Sequence, residues 1–216
     1  MNLKRQFVIE NERENMRLLY TDSLITNLMS EKIISWLPTI PREYVVVCIG
    51  TDRSTGDSLG PLTGTFLHDH KPKHLAVYGT IHDPVHATNL KDYIKLIHNQ
   101  HRNPYIIAID ACLGKSTSVG NIILGKGPLK PGAALNKPLP QIGDIHLTGV
   151  VNISGFMEFS ILQNTRLSIV LDMAKQLANL LIMIDNQLKQ SIPSPSIVMP
   201  PTNQESLEKK TSTKPI

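Results

Sequence analysis

Two aspartates stand where apolar runs give way to polar chain. Asp57 lies in the loop CIGTDRSTGDSLGP (48–61), which continues the run YVVVCIG (44–50), and Asp110 closes the run YIIAIDA (105–111). Residues at strand ends of an open α/β sheet gather where ligands bind, because loops from several strands converge there. If the two strands are neighbours, both acids face one cleft. A close pair of carboxylates does not readily hold two negative charges, so one member keeps a proton. Such a pair can use one acid as general base on water and the other as general acid, or hold a cation between them.

Each residue also has a plainer reading. Asp57 precedes Ser-Leu-Gly-Pro and suits a helix N-cap, accepting hydrogen bonds from first-turn amides. Five apolar residues precede Asp110, and a charge that deep needs a partner. Asp52 suits a turn. The glycines Gly50, Gly56 and Gly60 match neither G-x-G-x-x-G nor the Walker pattern, and two acids in the loop would repel phosphate. His82 and His86 are four residues apart but straddle Pro84, while His146 fits a half-buried strand position. With no H-E-x-x-H and no cysteine cluster, a dedicated zinc site is not expected. No G-x-S-x-G elbow surrounds Ser54, Ser58 or Ser154. Cys112, two residues past Asp110, has no evident histidine partner that would activate it.

The elements that must position the two acids alternate in type. Apolar spacing from Asp22 to Leu37 predicts a helix ended by Pro38 and Pro41. Strands are predicted at 44–50, 74–79, 105–111, 121–124 and within DIHLTGVVNIS (144–154). Helices are predicted at 58–70, 85–98, 156–163 and 167–188. Between Gly125 and Gly143 the four prolines Pro128, Pro131, Pro138 and Pro140 accompany a stretch without periodicity. This order predicts a three-layer α/β/α sandwich around an open, mainly parallel sheet, of phosphorylase/hydrolase-like type. Its expected extent is one domain over residues 21–190, between a polar arm (1–20) and a Pro-, Ser-, Thr- and Lys-rich tail (191–216) expected to be disordered.

Composition narrows the function further. The formal net charge of +4 is scattered along 216 residues, and only 5% of them are aromatic. No basic footprint for nucleic acid is formed. Two cysteines make no disulfide framework. The apolar segment LANLLIMI is far shorter than the roughly 20 residues of a membrane span. The expectation is a cytoplasmic protein.

TGDSLGP followed about fifty residues later by IAIDA resembles the YyaC family of sporulation proteins, over roughly Tyr44 to Asp185. That family is similar to the germination protease that degrades small acid-soluble spore proteins, and in fold to the hydrogenase maturation endopeptidases. The resemblance implies an aspartate-dependent peptidase with Asp57 and Asp110 as catalytic residues and a protein or peptide as substrate. In the hydrogenase enzymes the equivalent acids, with a later histidine, bind nickel. The resemblance therefore also names Asp57, Asp110 and His146 as candidate ligands for a divalent metal. Gly56 stands where those enzymes have a further acid, and Asn152 competes with His146 for the histidine's place. No cofactor is expected for the peptidase reading. The alternatives are a non-catalytic peptide- or protein-binding member of the same fold and a metal-dependent maturation endopeptidase.

Overall fold

The computed structural model describes residues 15–131 and 139–188. Six strands form one sheet: β1 (Met16–Leu19), β2 (Tyr44–Cys48), β3 (Leu75–Tyr78), β4 (Tyr105–Gly114), β5 (Asn121–Lys126) and β6 (Ile145–Ile153), in the order β1-β5-β6-β4-β2-β3. The four strands β3, β2, β4 and β6 run parallel, and β5 lies antiparallel to both β6 and β1. The sheet is mainly parallel, as the alternation of elements requires.

Period-two alternation decides what each strand residue touches. Val46 and Cys48 of β2, with Ile107 and Ile109 of β4, enter a core shared with α1 (Ile25–Trp36), α2 (Leu59–Asp69) and α5 (Leu167–Gln187). Val45, Val47, Ile106 and Ala108 face the opposite side, under Leu90, Tyr93 and Ile97 of α3 (Leu90–Gln100). Covered on both faces, β2 is wholly buried, which is why its sequence is continuously apolar rather than alternating. A short helix, α4 (Glu158–Gln163), follows β6.

The structure corrects several boundaries. Met16–Leu19, assigned by sequence to the polar arm, pairs with Asn121–Leu124 as the edge strand β1. The remainder of the arm up to residue 14 and the tail from 189 lie outside the described residues. The helix expected from residue 85 begins at Leu90. Val85 instead forms a parallel bridge with Ile49, while Asn89 folds back, accepting the His86 amide at 2.8 Å and donating to the Pro84 carbonyl at 3.0 Å. The aperiodic stretch is partly tied down as well, since Leu129 and Ile142 pair across it and enter the α3-side core.

The helix α5 is 21 residues long, and its most apolar 18-residue window has a mean hydropathy of 1.6. By length and composition it could span a bilayer, so LANLLIMI understated the segment. In the fold it is a core helix: Val170, Ala174, Leu177, Leu181 and Ile184 are all fully buried. Near its end, Asp185 accepts the main-chain N–H groups of Lys73, His74 and Leu75 at 2.8, 2.7 and 3.1 Å, which fastens α5 to the start of β3.

Candidate active site

The site begins where β2 stops. Ile49 still donates to the Ile109 carbonyl at 2.7 Å, but Gly50 turns aside and donates to Val85 at 2.8 Å. Gly50 has φ +149°, and a Cβ placed on it would lie 1.9 Å from the Asp57 carbonyl oxygen. Only glycine lets the loop fold back so closely on the strand end. Thr51 closes the loop by donating to that same Asp57 carbonyl at 3.1 Å. Asp57 thus sits in a single 3₁₀ turn, Gly56–Ser58, just ahead of α2.

Asp110 lies one residue past Ile109 on β4, the neighbour of β2. The two acids line one cleft of about 330 Å³. Its walls are apolar on two sides, from Ile49, Leu129 and Leu139 and from Phe159 and Leu162. Arg53, Lys130, His86 and Glu158 add charge and hydrogen-bonding capacity.

Both carboxyls are raised, Asp110 strongly. Solvent reaches part of Asp110 through the cleft, yet protein encloses its carboxyl so closely that desolvation pushes its pKa up to about 8. A hydrogen bond from the Ala111 N–H, 2.8 Å from Oδ1, opposes this, and the Asp57 charge adds to it. Burial also raises Asp57, partly offset by the hydroxyl of Ser54. Among the described residues the buried Ser54 Oγ makes no full hydrogen bond, so it stays available to that carboxylate. Burial thus favours the protonated form of both acids, and far more strongly for Asp110, so that a proton on the pair resides chiefly there.

The capping alternative for Asp57 is not what the fold uses. Neither the 3₁₀ turn nor α2 has a side-chain cap, and no first-turn amide donates to the Asp57 carboxylate. Asp52 is an exposed turn residue. His146 is half-buried on β6, bonds the Gly127 carbonyl through Nδ1 at 2.9 Å, and does not line the cleft. Asn152 is also structural: its amide nitrogen reaches the Ile161 carbonyl and Thr165 Oγ1, both at 3.2 Å, holding β6 to the chain around α4. Cys112 does line the cleft, but burial pushes its thiol up to about 11, so it is no ready nucleophile.

The donor set fits a resident metal poorly. Among the described residues no three His, Cys, Asp or Glu side chains are grouped to hold an ion. Gly56 has no room for a further acid, because a Cβ there would lie 2.7 Å from Leu162 Cδ2 and 3.0 Å from Thr165 Oγ1. Gly56→Asp is accordingly expected to lower stability by about 1–3 kcal/mol, read as a fall in urea midpoint. An unchanged midpoint would mean that α4 yields freely.

Sequence reasoning missed His86 as a cleft residue, having weighed it only as a partner for His82. The signal lay in Val85, whose bridge to Ile49 carries the next residue to the strand ends. Leu129 and Lys130 were hidden in the aperiodic stretch.

Fold and site together define a class: an α/β/α domain whose sheet delivers two interacting carboxylates from adjacent parallel strands into one cleft. The chain belongs to the family described as "Protein of unknown function (DUF1256)", whose model matches residues 17–180. It is 50% identical to the uncharacterized protein YyaC of Bacillus subtilis (strain 168) over 186 residues, 86% of this chain and 91% of that protein. This bears out the resemblance read from TGDSLGP and IAIDA. Among solved structures, the chain is similar to the NiFe hydrogenase maturation protease HycI from Thermococcus kodakarensis KOD1, with TM-score 0.49 and 14% identity. That match covers 74% of this chain and 99% of the other.

Proposed function

We propose that the protein is a peptide hydrolase in which Asp57 and Asp110 act as one unit on a water molecule. The observation that carries this reading is the coupled pair itself: two cleft acids, each raised by burial, with the Asp57 charge helping to hold a proton on Asp110. Ionised Asp57 removes a proton from water as the oxygen attacks a peptide carbonyl. Neutral Asp110 gives its proton to the developing oxyanion. The tetrahedral intermediate collapses when the amide nitrogen takes a proton from Asp57, and its hydroxyl returns one to Asp110. The pair regains its starting protonation. The likeness of TGDSLGP and IAIDA to the acid-bearing segments of the germination protease supports the reading, and with it a cytoplasmic role on spore proteins.

The mechanism needs one proton on the pair. Activity should therefore fall above about pH 8 as Asp110 ionises. It should fall again at acid pH as Asp57, itself raised above 3.8, becomes neutral. The direct test incubates the protein with small acid-soluble spore proteins and with unfolded casein, and maps new termini by mass spectrometry. Discrete cuts with this bell-shaped pH profile are expected. Intact substrates across the whole range would overturn the hydrolase reading in favour of a peptide-binding protein, a role that the apolar cleft walls also suit.

A further inference from the structure

We propose that the cleft receives an extended polypeptide segment of another protein as an added strand along the free edge of β4. The inference rests on the cleft being the proposed catalytic one, but its geometry is a property of the sheet. β4 is ten residues long, whereas its neighbour β2 pairs with it only from Tyr105 to Ile109. On its other side β6 continues alongside β4 as far as Gly114. Among the described residues, the half of β4 from Asp110 onward therefore has a partner strand on one edge only.

Main-chain directions show what that edge presents. Tyr105 donates to Glu43 and Ile109 accepts from Ile49, both at 2.7 Å and both towards β2. Ile106 accepts from Asp144 at 2.8 Å and Gly114 from Ser154 at 2.7 Å, both towards β6. In a parallel sheet these directions alternate along the strand. The alternation turns the main chain of Ala111 and Leu113 to the side that β2 has left. Asp110 Oδ1 holds the Ala111 N–H. Among the described residues no loop or neighbouring strand bonds the Ala111 carbonyl or the Leu113 main chain on that side.

An unpaired strand edge inside a cleft is a template for an extended peptide, with main-chain bonds giving affinity and alternate side chains giving preference. Ala111 and Leu113 line the same cleft as the two acids, so a strand laid there passes its carbonyls beside them. The side-chain preference is apolar. Phe159 lines the cleft while remaining 59% exposed, and Phe156 and Met157 beside it are 101% and 74% exposed. The segment must be extended and unpaired along at least one edge, as an unfolded stretch or a chain terminus is.

The test separates docking from cleavage by using full-length Asp110→Asn protein, in which cleavage is slowed by roughly 10²–10⁴. A library of capped ten-residue peptides with apolar residues at alternate positions is screened for binding, and the best binder is N-methylated at one position at a time. Methylation at two positions two residues apart, whose N–H groups meet the Ala111 and Leu113 carbonyls, should weaken binding by about tenfold or more, while the position between them stays near the parent. Hydrogen exchange at the Leu113 amide should slow on peptide addition. Failure to find a binder, or methylation effects without a period of two, would overturn strand addition. So would a Leu113 amide already protected in the free protein, which would give the edge to the chain's own tail or to a second copy. If the alternating pattern appears but wild-type protein never cuts the peptide, docking stands and the hydrolase reading falls. Cleavage by wild type without the pattern gives the reverse.

Discussion

Asp110→Asn is expected to reduce kcat/KM on a cleaved polypeptide by roughly 10²–10⁴ while making the folded protein more stable at pH 8. Both effects have the same origin. The folded carboxyl titrates at about 8 against 3.8 for an unperturbed aspartate. Between those values the native state holds a proton that the unfolded chain has already released. Stability from this group is therefore greatest below about pH 4, declines as pH rises through the window, and stays low above 8. Asparagine keeps an oxygen for the Ala111 N–H but has nothing to ionise. The variant should thus gain on wild type as pH rises, by about 1–2 kcal/mol at pH 8, read as a few degrees in Tm. Thermal melts from pH 4 to 9 provide the check. A variant less stable than wild type at pH 8 would show that Asp110 is a structural acid.

The second large effect lies away from the cleft. Asp185→Ala should cost about 2–4 kcal/mol, because it leaves the N–H groups of Lys73, His74 and Leu75 without their acceptor at a largely buried junction. Asp185→Asn should cost less. It retains one acceptor oxygen but turns an amide nitrogen towards a donor. Urea unfolding of the three proteins should rank wild type above Asn above Ala. If Ala matched wild type, water would be replacing the carboxylate and α5 would not depend on this bond.

Much of this architecture is legible in the sequence, for a physical reason. Strands buried on both faces read as continuous apolar runs, so β2 and β4 announce themselves, and the acids that end them mark the carboxyl edge of the sheet. Elements whose stability comes from a distant partner are not legible. β1 is only MRLL, with alternating burial, and exists because β5 offers it an edge. Residues 85–89 have helical spacing, but the bridge of Val85 to Ile49 and the Asn89 bonds compete successfully with a helix start. For Asp57, spacing alone left cap and catalyst level. The fold does not use the cap: the loop turns back at Gly50, and the carboxylate lines the cleft with no α2 amide bonded to it. His146 is not clearly in register for the histidine's place, and β6 sets it two residues before Thr148, the partner of Asp110, outside the cleft.

The proposed mechanism requires the two acids to behave as one unit, and the most direct measurement is the titration of their side-chain carboxyl carbons by NMR, in wild type and in Asp57→Asn. In wild type the Asp110 signal should move with a midpoint of about 8. In Asp57→Asn that midpoint should fall, because the neighbouring negative charge is gone, while remaining above 3.8 through burial alone. Asp110 titrating near 4 in wild type, or with the same midpoint in both proteins, would contradict the shared proton and the mechanism built on it.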